Sequence, residues 1–326
     1  MLRVGIVGYG NLGKGVELAL TRAEDMIPVA LFTRREPESL KTFNPDIPVY
    51  SYDDIAQWEG EIDVLILCAG SAQDLPAMSP DLAQKFEIVD SFDNHSQMPE
   101  HKQRVDASAR RGDHLALIAG GWDPGLFSIA RVYGDAIMPQ GKTYTFWGEG
   151  VSQGHSDAVR RISGVQDARQ YTIPSEEVMA HVREGEVKDF TTAEKHSRHC
   201  YVVADEADRN RIEKTIKSMP GYFAEYNTTV EFISQEEMDA KHSGMPHGGR
   251  VLQSGKSFSE RPVQQNMELA LNLGSNPEFT AQVLVACARG LVRMHRTGRR
   301  GAISLLDVPP AYLSPRPIEE LEKDFL

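Results

Sequence analysis

The stretch RVGIVGYGNLGKGVELAL, residues 3–20, decides the fold. It opens as a short apolar, β-branched run, the composition of a buried strand. Gly8, Gly10 and Gly13 follow in G-x-G-x-x-G spacing, and then Leu12, Val16, Ala19 and Leu20, with Ala23 just beyond, recur on one helical face. The spacing alone is common. A strand before it and a helix after it give it meaning. The first glycine allows a tight turn, the second lets the backbone approach a pyrophosphate, and the third lets helix and strand pack closely. The free N–H groups at the start of that helix then favour an anion. Gly8, Tyr9, Gly10, Asn11, Leu12 and Gly13 are therefore the first candidate cofactor-binding residues.

Outward from this unit the same texture continues. IPVALFTRR (27–35), IDVLILCAG (62–70), FEIVDSFDNH (86–95) and HLALIAGG (114–121) are apolar runs ending in glycine or polar residues, and PEHKQRVDASARRGD (99–113) has helical character. Fully apolar strands alternating with helices predict a parallel sheet covered on both faces, a doubly wound domain of Rossmann type over residues 1–121. After Trp122 the pattern changes. KTYTFWGEG (142–150), ARQYTI (168–173), SRHCYVVAD (197–205), TTVEFIS (228–234) and GGRVLQSG (248–255) alternate apolar and polar residues, with helices expected near DRNRIEKTIKSM (208–219) and QQNMELALNL (264–273). Residues 122–299 thus predict an α+β domain with a largely antiparallel sheet, closed by a long helix over 277–298. The tail, about 300–326, is expected to pack back on the first domain.

The end of the second strand speaks to the choice of dinucleotide. An NAD site would place a carboxylate there for the ribose 2′-hydroxyl. This chain has Thr33, Arg34 and Arg35, a hydroxyl and two guanidiniums suited to a 2′-phosphate, so the expected cofactor is NADP. Cys68, Gly70 and Ser71, at the end of another strand, are expected to line the same crevice, with Cys68 as wall rather than nucleophile because nothing local would activate it.

Bulk properties exclude several classes. A net charge of −12 over 326 residues argues against nucleic acid or an anionic membrane as the main partner. The three cysteines, Cys68, Cys200 and Cys287, are far apart and lack metal or disulfide spacing, and with no signal-like or membrane-length apolar run they predict a cytoplasmic protein. His242 and His247 stand in a glycine-rich loop with no third ligand pattern, so no metal is expected.

Two acids fall where open α/β sheets bind ligands: Asp93 after FEIVD and Asp123 after HLALIAGGW. Each is also a plausible turn or capping residue. Taken together, GYGNLG, FTRR, DSFDNH, GGWDPG, FWGEGVSQGHSDAVRR, QYTIPSE and GMPHGG resemble the meso-diaminopimelate dehydrogenases over nearly the whole chain. The resemblance implies an NADP-dependent homodimer that deaminates the D-centre of meso-2,6-diaminopimelate to L-2-amino-6-oxopimelate and ammonium, in lysine and cell-wall precursor synthesis. It assigns Asp93 and Asp123 to the reacting amine as catalytic groups, and Trp122 and Trp147 to the walls of the site. It puts Gln153, Gly154 and Asp157 near the reacting carbon, and Arg198, Thr172, His247 and Asn276 at the distal carboxylate. Asn276 before Pro277 would serve equally as a helix cap. Two alternatives stay open: a broader NADP-dependent D-amino acid dehydrogenase of the same fold, and a non-catalytic NADP-binding sensor.

Overall fold

The computed structural model describes residues 1–326 in full. The chain forms two compact units, Met1–Ile129 with Pro277–Leu326, and Ala130–Asn276. In chain order the first unit begins β1 (Leu2–Val7), α1 (Asn11–Leu20), β2 (Met26–Thr33), β3 (Val49–Ser51), β4 (Val64–Leu67), α2 (Leu75–Ala83), β5 (Ile88–Asp90), α3 (Met98–Arg111) and β6 (Leu115–Leu117). Helix α4 (Leu126–Ile137) carries the chain onward into β7 (Lys142–Trp147), β8 (Gly150–Val151), α5 (Gln153–Arg160), β9 (Val165–Pro174), α6 (Glu176–Arg183) and α7 (Thr192–Lys195). Next come β10 (His196–Ala204), α8 (Arg209–Lys217), β11 (Thr228–Phe232), α9 (Gln235–Lys241), β12 (His247–Lys256) and β13 (Gln264–Leu273). The return to the first unit is α10 (Asn276–Arg296), β14 (Gly301–Ile303), α11 (Pro310–Leu313) and α12 (Ile318–Phe325).

The first unit is a seven-stranded sheet in the order β14-β6-β5-β4-β1-β2-β3, parallel at every pair. Its central strands are largely apolar because both faces are covered. Val4, Ile6, Val64, Ile66 and Leu117 face a core completed by Val16 and Leu20 of α1 and by Leu284, Ala288 and Leu291 of α10. The alternate residues Val7, Leu65, Leu67 and Ile88 face Leu75 and Leu82 of α2 and Val105 of α3. The order reverses between β1 and β4, the switch point beyond whose carboxyl ends ligands bind.

The second unit holds a four-stranded sheet, β11-β10-β9-β8, and a three-stranded antiparallel sheet, β13-β12-β7. The pairs β9–β10 and β8–β9 are antiparallel, and β10–β11 is parallel.

Three features depart from the sequence reading. Residues 264–273 form β13, paired with β12 along its whole length, and not a helix. Met267, Leu269, Leu271 and Leu273 alternate with Glu268, Ala270 and Asn272, a strict period of two, and a waiting partner strand outweighs the helix propensity of Met, Glu, Leu and Ala. The long helix α10, expected at the end of the second domain, belongs to the first unit because its apolar face completes the first core. The outgoing junction lies at 129/130, inside α4, where the sequence suggested 121/122. In the tail, β14 pairs in parallel with β6.

Candidate active site

In the first unit, β1 runs into Gly8 at φ 92°, a left-handed conformation that glycine adopts at low cost. Gly8 N–H donates to Phe32 O (2.8 Å), pinning the turn to β2. A Cβ on Gly13 would lie 2.2 Å from Gly8 O, so the third glycine is what lets α1 start against the turn. No side chain caps α1 and no acid stands in its first turn, which leaves its leading N–H groups suited to an anion.

A cavity of about 380 Å³ opens here, lined by Gly8, Tyr9, Gly10, Thr33, Arg34, Arg35, Cys68 and Gly70, with Tyr52, Asp74 and Met78. Arg35 donates to Tyr9 O (2.6 Å) through its side chain and to Thr33 Oγ1 (3.0 Å) through its backbone, so the end of β2 is tied to the glycine turn. Arg34 lies 2.7 Å from Asp74 Oδ1. That guanidinium, seconded by Gly70 N–H (3.0 Å), holds the Asp74 carboxyl below the usual carboxylate range.

Other predicted residues of the loop face inward. The Tyr9 hydroxyl donates to buried Glu17, and Leu12 packs on the core. Burial pushes the Cys68 thiol up, which disfavours the thiolate. Ser71 turns to another partner: its hydroxyl donates to Asp93 Oδ1 (2.5 Å) and accepts from Asp93 N–H (3.0 Å).

The loops after β5 and β6 are joined by a residue the sequence reading passed over. Asp90 is fully buried. One carboxylate oxygen accepts from Phe92 N–H (3.1 Å) and Ala119 N–H (2.9 Å), and the other meets Ser79 Oγ and His101 Nε2, both at 2.7 Å. Asp93 follows three residues later on one loop, and Trp122 and Asp123 follow Ala119 on the other. Trp122 is buried edge-on to Phe127 (5.2 Å) and bridges to Gly125 across the cis Asp123–Pro124 bond. A Cβ on Gly125 would lie 1.9 Å from Gly121 O, so the turn presenting Asp123 requires that glycine.

In the second unit, Thr172 of β9 stands opposite Arg198 of β10 and opposite Gly150 of β8. The Arg198 side chain is 9% exposed, donates to Thr172 Oγ1, and lies over the Tyr226 ring at 4.2 Å. Burial, aided by Arg198, lowers His155 to about 4, so it is neutral at pH 7, with Nδ1 2.8 Å from Ser152 Oγ. Gln153, first residue of α5, donates to Met245 Sδ (2.9 Å). Met245 O accepts from Asn276 N–H (2.9 Å), and Pro246 O from Val151 N–H (2.8 Å). A Cβ on Gly150 would fall 2.5 Å from His247 Cα, so β8 and the start of β12 touch backbone to backbone. Gln153 and Asn276 thus meet at the segment Met245–His247, and Thr172, paired with Arg198, stands opposite Gly150, which touches His247.

Trp147 ends β7, its ring stacked on His196 at 5.4 Å. The Trp147 backbone N–H donates to His196 Nε2 (2.8 Å), and His196 Nδ1 faces Thr192 O (3.1 Å), which fixes the tautomer with the proton on Nδ1. A Cβ on Gly154 would meet open space. Asp157 stands apart, paired with Arg160 on the surface of α5. Sequence reasoning missed Tyr226, Met245, Asp74 and Asp90; of these, only the FEIVD strand end offered a local signal for Asp90.

The C-terminal domain of the diaminopimelic acid dehydrogenases matches residues 121–275. The meso-diaminopimelate D-dehydrogenase of Acetivibrio thermocellus is 51% identical over 326 residues, 100% of this chain and 98% of that one. The DAP dehydrogenase of Corynebacterium glutamicum, solved in complex with DAP, has a TM-score of 0.89 at 43% identity, covering 100% of this chain and 99% of that one. An engineered D-amino acid dehydrogenase bound to NADP+ has a TM-score of 0.84 at 42% identity, with the same coverage of 100% and 99%.

Proposed function

The chain belongs to the meso-diaminopimelate D-dehydrogenase family, and from that membership we propose how its own residues serve the reaction with NADP. The protein is an enzyme, a meso-diaminopimelate D-dehydrogenase. In our reading the glycine turn and the uncapped start of α1 hold the pyrophosphate, and Thr33, Arg34 and Arg35 hold the 2′-phosphate. Support comes from the cluster itself: it is cationic, it lines the same cavity as Gly8 and Gly10, and no carboxylate stands at the end of β2. NADP bound there supplies the acceptor for the hydride leaving the D-configured carbon.

Asp93 and Asp123 are the acceptors for the amine on that carbon. As the amine gives up a proton, its lone pair can form the C=N bond while hydride leaves. Water then adds to that carbon, and ammonium departs to leave the oxo acid. Ser71 fixes the Asp93 carboxylate by a charge-assisted hydrogen bond, and buried Trp122 keeps bulk water off the loop that bears Asp123. Trp147, Gln153 and Gly154 serve the substrate chain; Asp157, held by Arg160 on the surface of α5, takes no part. Arg198 takes the distal carboxylate, with Thr172, His247 and Asn276 beside it.

The observation that carries this assignment is the Arg198 guanidinium, buried, stacked on Tyr226 and donating to Thr172. A simple D-amino acid would leave that group without a ligand. The test is NADP reduction with meso-, LL- and DD-diaminopimelate and with D-alanine. Turnover with the meso isomer far above D-alanine supports the reading; comparable rates would make the enzyme a broad D-amino acid dehydrogenase. A homodimer is also part of the proposal. Helix α4 carries Val132, Tyr133, Ala136 and Ile137 on its exposed side, and Ile137 is 66% exposed, an apolar patch that expects a partner.

A further inference from the structure

Strands β9 and β10 set Thr172 opposite Arg198 and Gln170 opposite Cys200. Because side chains alternate along a strand, these four share one face of the sheet, and Gln170 and Arg198 are diagonal neighbours on it. Helix α5 covers that face: Val159 packs with Ala168 and Cys200, and Ser156 Oγ accepts from Gln170 N–H (2.9 Å). The Gln170 side chain is fully buried, yet neither its amide oxygen nor its amide nitrogen has a partner within the protein. Arg198 Nε, buried on the same face, has none either. Buried amides and guanidiniums in native proteins are almost always satisfied, so orphans on diagonal neighbours call for an explanation. A glutamine placed only for packing would be better served by leucine or methionine, which bury no polar atoms.

We propose that Gln170 is a positioning residue for Arg198: its amide oxygen takes the Arg198 Nε–H through one internal water. Fixing Nε–H in this way leaves the Nη1/Nη2 edge of the guanidinium for a bidentate grip on a carboxylate. Gln170 then never touches the substrate, but it decides how well the distal carboxylate is read. This inference rests on the assignment of Arg198 to that carboxylate.

The test uses the full-length enzyme with NADP and compares meso-diaminopimelate with D-lysine, which keeps the reacting centre and the distal amine but lacks the distal carboxylate. Gln170→Met, close in shape to glutamine, should lower kcat/KM for meso-diaminopimelate about tenfold, mainly through KM, and change that for D-lysine by less than about twofold. In an Arg198→Met background the same substitution should no longer alter the ratio of the two substrates. An unchanged ratio in Gln170→Met, with a raised Tm, would overturn the proposal and mark Gln170 as a packing misfit. If Arg198→Met itself leaves the ratio unchanged, the distal assignment falls, and this proposal with it. A crystal structure of the unaltered enzyme with meso-diaminopimelate decides the matter even if the variants do not fold. A water shared by Gln170 Oε1 and Arg198 Nε supports the proposal; a Gln170 amide bonded elsewhere overturns it.

Discussion

Replacing Asp90 by asparagine or alanine separates the two tasks of a buried carboxylate that joins the loops bearing Asp93 and Asp123. Asparagine can keep its oxygen on Phe92 N–H and Ala119 N–H while its nitrogen turns to Ser79 and His101, because a hydroxyl and an imidazole can both switch to accepting. What it loses is the charge. Hydrogen bonds to a charged group contribute about 1.5–3 kcal/mol and neutral ones about 0.5–1.5. The two backbone bonds, which cannot rearrange, therefore lose about 2 kcal/mol together. Alanine leaves both buried N–H groups unpaired, at about 1–3 kcal/mol each, for a central value of about 4 kcal/mol. Urea unfolding should show the midpoint falling in the order wild type, Asp90→Asn, Asp90→Ala, with the slope m unchanged. Steady-state kinetics on the asparagine variant should show kcat reduced about tenfold, equivalent to ~1.4 kcal/mol of misplacement, while the dissociation constant for NADPH stays put. An alanine variant within about 0.5 kcal/mol of wild type, the scatter of surface substitutions, would refute the account of Asp90 as a tie between loops. Full activity in the asparagine variant would refute its bearing on Asp93 and Asp123.

Substituting Arg34 and Arg35 together by serine should raise the dissociation constant for NADP at least a hundredfold, two charge-assisted contacts being lost, and change that for NAD only a few-fold; equal losses, read by fluorescence titration, would refute the 2′-phosphate assignment. Acid should destabilise the protein through His196 and His155, both lowered by burial to about 4. From about pH 6.5 down to about 4 the unfolded chain binds protons that the folded protein refuses, so stability rises with pH across that window and is level for these groups above it. The full difference for His196, about 2.5 units, is on the order of 3 kcal/mol by pH 4, and His196→Gln should flatten the slope in urea titrations at successive pH values. Ile137→Glu, on the apolar patch of α4, should halve the particle mass seen by light scattering if that patch is the dimer contact; an unchanged mass would move the contact elsewhere.

The sheet of the first unit was legible because burial on both faces leaves no polar alternation: the runs at 3–8, 27–33, 62–68, 86–90 and 114–118 all hold strands. The short edge strand β3, three residues long, gave too little pattern to see. β13 was misread although Met267, Leu269, Leu271 and Leu273 carried the right period, because helix-forming residue types drew the eye from the spacing. The loop glycines and the basic end of β2 could be read locally, since their chemistry depends on neighbours in the chain. Arg198 could not. Its meaning comes from Thr172 across the sheet and Tyr226 against its face, 26 and 28 residues away in opposite directions, and neither is visible from the string KHSRHC. The grip of Ser71 on Asp93 is of the same kind, a pairing between the ends of neighbouring strands that only the topology creates.

Helix α10 and β14 give the molecule a nested order of assembly. A ribosome has finished residues 130–276, every part of the second unit, before it starts on Leu284, Ala288 and Leu291, which close one face of the first core. The first unit is begun first and completed last. The opening strands must wait with that face only partly covered, by α1, in the company of a nascent neighbour that already has all its pieces, and this interval is when the chain most needs protection from aggregation. A polypeptide cut short at residue 276 would keep both lobes in name and lose the older one in substance.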